Sequence, residues 1–378
     1  MHTDPRPSRE EPVRHIPGDE AKEVLDGTAL CLSGGGFRAM LFHAGTLWRL
    51  SELGLLDRLK RISSVSGGSI AAAKLAVEWP VATDAFEERV VRPLRALASR
   101  TVDVSAGVSG LLLPGTTIAE RAAGAYRRDL GLAGKTLQDL PDEPRFILNA
   151  TNLATGVLWR FSKPYMGDYK VGLVMSPTVD LATAVAASAA FPPPMSPLTL
   201  RLPATGWDLD GAELAGDARF RERVVLSDGG VYDNLGLETA WKRYRTILVS
   251  DAGGTFRPDP SPSSNMGLQM PRVVKAVDAQ VRALRRRQVI GSFADGTRDG
   301  AFWGIREPIE DPPGALPAPA DATLKLADVP TRLARMPDLL QERLVNWGYA
   351  SCDAAVRKFL DPSLPPPSGF KYPAAGVG

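Results

Sequence analysis

Only three histidines occur in the chain, His2, His15 and His43, and that scarcity limits every hydrolytic mechanism open to it. A serine nucleophile is ordinarily activated by a histidine within hydrogen-bond reach. His2 and His15 fall in a polar stretch with the composition of a disordered lead-in, and His43 stands about two turns into a predicted helix, suited to packing or to the surface. What remains is a serine activated by a carboxylate. Ser64-Val65-Ser66-Gly67-Gly68 follows an apolar run and precedes an alanine-rich one, so Ser66 takes the apex of a tight strand-to-helix turn with small neighbours. Ser63, Ser64 and Ser69 lie off that apex. Asp228-Gly229-Gly230 and Asp251-Ala252-Gly253-Gly254 each close a predicted strand, where α/β sheets meet their ligands. Asp-Gly is also a common turn-forming pair, and on these grounds either aspartate qualifies.

A second turn lies upstream, at Ser33-Gly34-Gly35-Gly36-Phe37-Arg38-Ala39. Gly34, Gly36 and Ala39 fit the dinucleotide fingerprint GxGxxA, but that site also wants an acidic residue at the end of the next strand. The next strand ends in Ser63-Ser64-Val65-Ser66 and has none. A phosphate loop of the Walker type is excluded, because no Gly-Lys-Ser/Thr follows. The other use of such a turn is an oxyanion hole. The backbone N–H groups of Gly34, Gly35 and Gly36 would point outward at a helix start, backed by the helix dipole. One well-placed donor of this kind contributes roughly 3–4 kcal/mol to a transition state. Arg38 adds positive charge for a phosphate or carboxylate, or is a solvated first-turn arginine.

These turns need elements to hold them. Thr28–Ser33 and Arg61–Val65 read as buried parallel strands, Arg38–Leu55 and Ile70–Trp79 as helices, with Gly54 suited to a helix C-terminus. Two strand–helix units in succession predict an α/β sheet with right-handed crossovers. Residues 84–140 read as mainly helical, interrupted by the apolar stretch Gly107–Gly115, either a buried turn or a lipid-facing lid. Arg145–Thr151 and Val157–Ser162 are expected as strands and Leu181–Phe191 as a helix ended by prolines. Arg223–Ser227 and Thr246–Ser250 are expected as strands, Pro271–Ile290 as a helix with a basic end, 307–330 as a surface crossing, and Pro337–Leu360 as a helix.

Apolar residues make up 44% and charged residues 23% of 378, as in a soluble globular protein, and a net charge of +2 gives no case for nucleic acid. Two cysteines, Cys31 and Cys352, without a CxxC argue against a disulfide framework and a structural zinc site. No metal and no cofactor is expected. The first twenty residues lack an apolar signal core, and the longest apolar run, 181–191, is too short to span a bilayer, which predicts a cytoplasmic location. The expected organisation is a polar lead-in over 1–25 and a single domain over 26–378. Its motif core covers about 28–254 and a helical C-terminal part covers 265–361.

Taken together and in this order, the motifs resemble the patatin-like phospholipase family. Ser33–Met40 (SGGGFRAM) is also similar to the corresponding turn of the group IV cytosolic phospholipases. Val65-Ser66-Gly67-Gly68 resembles the family's serine elbow and Asp228-Gly229-Gly230 its aspartate turn, with Asn149–Gly156 and Ala186–Pro193 similar to two further blocks. The resemblance spans roughly residues 28–254. It implies a three-layer α/β/α fold with a central, mostly parallel sheet and a Ser–Asp dyad cleaving carboxylic esters of acyl lipids. Ser66 would be the nucleophile and Asp228 its partner. Gly34, Gly35, Gly36 and Arg38 would form the oxyanion hole, with Ser64, Gly67, Gly68, Gly229 and Gly230 supporting the two turns. One departure is Ser64 where the elbow usually has glycine. The implied partners are a phospholipid or other acyl lipid and, peripherally, a membrane. A thioesterase, a neutral-lipid lipase and a non-catalytic lipid or nucleotide binder are the alternatives. A base of the required strength predicts that Asp228 is shielded from water, with a raised pKa.

Overall fold

The computed structural model describes residues 24–103, 117–193, 195–309 and 312–378. His2, His15, almost all of the lead-in and the Gly107–Gly115 stretch lie outside these. The layers can be read from one strand, β1 (Leu25–Leu32). Its Ala29 and Cys31 join one apolar cluster and its Leu30 and Leu32 another, all fully buried. Successive side chains of a strand point to opposite faces, so a strand buried on both faces lies in a sheet covered on both sides.

The chain builds that sandwich in order. After β1 come α1 (Gly36–Glu52), β2 (Leu59–Val65), α2 (Gly67–Glu78), α3 (Arg92–Ala98), α4 (Ile118–Asp129), β3 (Arg145–Asn152) and β4 (Val157–Phe161). Next are β5 (Tyr165–Asp168), β6 (Gly172–Met175), α5 (Leu181–Ser188), β7 (Leu198–Arg201), β8 (Trp207–Asp208), α6 (Arg219–Glu222), β9 (Arg223–Asp228), α7 (Gly230–Asp233) and α8 (Glu238–Trp241). The chain closes with β10 (Tyr244–Asp251), α9 (Met266–Ala294), β11 (Asp299–Gly304), α10 (Ala320–Ala327) and α11 (Asp338–Phe359). β11, β10, β1, β2 and β3 lie side by side and parallel. From β3 outward, β4, β5, β6 and β8 continue antiparallel, and β7 pairs β9. The result is a three-layer α/β/α fold with a mixed sheet whose centre is parallel.

α1 is buried from Gly36 to Leu50, and a helix apolar on nearly all sides belongs in the interior. α11 lies along it and supplies much of its cover. Three expectations need correction. Residues 307–330 do not merely cross the surface: α10 buries Leu326 and Ala327. α9 starts at Met266, five residues before Pro271, because the Asn265 side chain caps it by accepting from Leu268 N at 3.2 Å. β11 was not anticipated; its Asp-Gly start and Gly304 end hide the Ala301–Trp303 strand signal.

Candidate active site

β3 brings the serine and aspartate turns together. β2 runs parallel to it as far as the pair Val65–Asn149 and stops. β9 pairs with β3 in the opposite direction, and its last pair is Ala150–Asp228. Because β4 holds the other edge of β3, β2 and β9 share one edge and end against consecutive residues. An atom added to Gly229 as Cβ would meet Asn149 O at 2.4 Å and Val65 Cγ1 at 3.2 Å. The two turns therefore meet head to head. Asp228 closes a strand as expected, and the antiparallel course of β9 along β3 is what brings it to Ser66.

Ser66 caps α2 with φ 53° and ψ −119°. Such backbone strain costs about 1–3 kcal/mol and persists only where the surroundings enforce it. Here Ser66 N donates to Ser188 Oγ at 3.1 Å, and Ser188 Oγ donates to Asn149 O at 2.6 Å. Asn149 Nδ2 in turn donates to Ser63 Oγ and Ser64 O, both at 2.9 Å. Ser64, the departure from the usual glycine, is an ordinary β2 residue whose hydroxyl reaches Ile147 O at 3.2 Å; the positive φ falls on Ser66 alone of the two. The hydroxyls of Ser63, Ser64 and Ser69 are all engaged by neighbours.

Asp228 is 1% exposed. Its Oδ1 accepts from Gly230 N at 2.7 Å, while Oδ2 is buried with no hydrogen-bond partner among the described residues. Burial is the largest influence on its acidity, opposed by the Gly230 N–H and the Ser66 hydroxyl, which faces the carboxyl; Asp278 of α9 adds repulsion. The pKa rises to about 7. The shielding expected from the sequence is present.

The glycine turn contributes differently from expectation. Gly34 N is already committed, donating to Asn234 O at 3.0 Å. Its place in the site is steric: a Cβ there would come within 2.3 Å of Asn234 Oδ1 and 3.1 Å of Ser66 Cβ. The N–H groups of Gly35, Gly36 and Gly67 find no acceptor among the described residues. Gly36, at φ +61°, lies beneath the backbone of Arg332, whose carbonyl accepts from Phe37 N at 3.0 Å. Arg38 neither reaches solvent nor presents a free guanidinium. Its Nη1 donates to Ala327 O at 2.7 Å and Val329 O at 2.8 Å, and its Nη2 to Ala252 O at 2.7 Å. The buried arginine ties the segment after α10 to the turn, and desolvation lowers its pKa to about 10.

His43 is fully buried between Ser250 Oγ and Ser33 O, each 2.9 Å from a ring nitrogen. The nitrogen facing the carbonyl must carry a hydrogen, and burial depresses the pKa to about 4, which keeps the ring neutral at neutral pH. Both nitrogens are occupied, and neither is available to Ser66. Asp251, the rival aspartate, ends β10, separated from β2 by β1; it binds Gly253 N at 2.9 Å and faces Arg282 at 3.9 Å. Sequence reasoning passed over Asn149 and Ser188 as individual residues, although both lie in blocks it had marked. Asn234 and Asp278 carried no sequence signal.

The fold is a three-layer α/β/α sandwich in which a serine turn and an aspartate turn meet at one strand. The family model for patatin-like phospholipases matches residues 30–241, more than half the chain, and the chain belongs to that family. Among solved structures it is similar to human GIVD cytosolic phospholipase A2 in complex with methyl gamma-linolenyl fluorophosphonate, at 16% identity and a TM-score of 0.50. That likeness covers 90% of this chain and 58% of the human one, so the chain spans less than two thirds of its length. VipD from Legionella pneumophila is similar at 14% identity and a TM-score of 0.36, over 86% of this chain and 66% of that one. No curated protein matches the sequence. No helix among the described residues is long and apolar enough to cross a membrane.

Proposed function

We propose that this chain is a serine acyl hydrolase of the phospholipase A or lysophospholipase type, working through Ser66 and Asp228. The observation that carries the reading is the strained Ser66 facing a buried carboxyl whose Oδ2 has no other partner. Ser66 Oγ attacks the ester carbonyl and its proton passes to Asp228, while the carbonyl electron pair moves onto oxygen. Collapse of that oxyanion breaks the bond to the alcohol, which takes the proton back from Asp228 and leaves an acyl-Ser66. Water attacks the acyl-enzyme in the same way and frees the fatty acid. A base of pKa about 7 is matched to neutral pH, where it is both ionised and able to hold a proton. The unsatisfied N–H groups of Gly35, Gly36 and Gly67 support a role in holding the oxyanion, without Gly34 or Arg38 as donors.

The substrate in this reading is an acyl lipid met at a membrane surface from the cytoplasmic side. The test is labelling by a fluorophosphonate, which reacts with an activated serine. Wild-type protein should be labelled and hydrolyse a lysophospholipid, and Ser66→Ala should lose both with an unchanged circular dichroism spectrum. Labelling that persists in Ser66→Ala defeats the assignment.

A further inference from the structure

Three glycine turns give way to one side-chain amide. Asn234 caps the C-terminal end of α7, and its backbone carbonyl accepts from Gly34 N at 3.0 Å. Its side-chain Oδ1 lies 2.3 Å from the place a Cβ would take on Gly34 and 2.7 Å from that on Gly230. Its Nδ2 lies 2.9 Å from that on Gly253. The same place on Gly34 is 3.1 Å from Ser66 Cβ, and the same place on Gly230 is 3.1 Å from Asp228 Oδ1. The amide oxygen therefore stands beside both members of the serine–aspartate pair. The hydroxyls packed around that pair, on Ser63, Ser64, Ser69, Ser188 and Thr151, are all bonded to neighbours. The Asn234 amide has no hydrogen-bond partner among the described residues. Solvent reaches it as well: Asn234 is partly exposed and Ser66 is 8% exposed, while Asp228 is buried.

Asn234 Oδ1 and the Asp228 carboxylate are both acceptors, so they cannot bond to each other. A donor with two hydrogens joins them, and water is that donor. Cleavage of an acyl-serine consumes a water whose one hydrogen must reach the base while its lone pair faces the acyl carbon. The second hydrogen then needs an acceptor of its own. We propose that Asn234 is a catalytic residue of deacylation, its Oδ1 accepting the second hydrogen of the attacking water. The water oxygen bonds to the acyl carbon, its first proton passes to Asp228, and the carbonyl electron pair moves onto oxygen. Collapse of that oxyanion breaks the bond to Ser66 Oγ, which takes the proton back from Asp228. The second hydrogen leaves on the fatty acid. Acylation uses no such water, because Ser66 supplies its own proton, so the amide acts in one half of the reaction only. This role rests on the reading of Ser66 and Asp228 as a catalytic dyad.

The experiment follows the acyl-enzyme directly. Full-length wild-type protein and Asn234→Ala are mixed with a p-nitrophenyl acyl ester, quenched in acid at set times and weighed by intact mass spectrometry, which gives the first-order decay of acyl-Ser66. In Asn234→Ala that decay should slow by about tenfold or more, and the acyl-enzyme should accumulate. The rate of fluorophosphonate labelling, which needs no water, should stay within about threefold of wild type. Asn234→Asp keeps an acceptor oxygen in place and adds a charge beside Asp228. Its decay should return toward the wild-type rate once the pH exceeds its own, higher inflection. Wild-type decay in Asn234→Ala overturns the proposal. So does labelling that falls in parallel with decay, which marks an amide that only supports the turns, and so does an Asn234→Asp no faster than Asn234→Ala at any pH. Wild-type protein that is neither labelled nor acylated removes the dyad and this role with it, whereas normal labelling with unaltered decay removes the role of Asn234 alone.

Discussion

A carboxyl held at a pKa of about 7 has consequences for rate and for stability, and their signs are opposite. In the proposed mechanism only the ionised form accepts the Ser66 proton, so kcat/KM for a soluble ester should rise with pH, by about tenfold per unit well below the pKa, and level off above about 7. Asp278 raises that pKa by repulsion. Asp278→Asn should therefore ease ionisation of Asp228 and move the inflection to lower pH. A profile that moves to higher pH, or that keeps the same inflection in Asp228→Asn, contradicts the role. Stability runs the other way. The folded pKa lies above the unfolded value of about 3.9, so the native state binds the extra proton. Its contribution is full below about pH 4 and is lost as pH rises through about 7. The Tm of Asp228→Asn relative to wild type should accordingly increase across that window.

At the scale of elements, the serine turn depends on its support more than on its own sequence. Ser188→Ala removes the acceptor of Ser66 N and leaves a buried N–H unpaired, which costs about 1–3 kcal/mol. Since the same hydroxyl ties α5 to Asn149 of β3, the variant should melt earlier and lose kcat with little change in KM. A normal kcat would show that the elbow stands without it. This arrangement also explains what could be read in the sequence. Gly67, Gly68 and the apex serine announce themselves because a sharp turn needs small residues at fixed places. The head-to-head meeting of β2 and β9 was not legible, because the direction in which Arg223–Asp228 runs is decided by its pairing with Ala150–Asn152, far away in the chain. Arg38 misled for a related reason. First-turn arginines usually face water, and this one is buried by carbonyls that come from far along the chain, at Ala252 and in the return of residues 327–332 over the glycine turn.

For the molecule as a whole, the C-terminal third locks the helix that carries the glycine turn, and two glycines make that lock. α1 and α11 cross so closely that a Cβ on Gly348 would lie 1.8 Å from Phe42 O, and one on Gly45 1.9 Å from Val345 O. Backbone atoms cannot rotate out of the way as a side chain can, so the helices would have to separate. Beside the crossing, Asp353 takes Arg49 at 2.7 Å and Arg357 at 3.1 Å, all three buried, and this network depends on the same spacing. Gly348→Ala should therefore cost at least the roughly 1–3 kcal/mol typical of overpacking, and more as the buried pairs stretch. Hydrolysis should fall with it, because α1 begins at Gly36. Gly124 in α4 provides the contrast: a Cβ there meets nothing within 4 Å, and alanine is the better helix former by about 0.5–1 kcal/mol. Denaturant unfolding of the two variants should give changes of opposite sign for the same chemical substitution. Equal effects from both would mean that α11 does not rest on α1 as closely as these distances require.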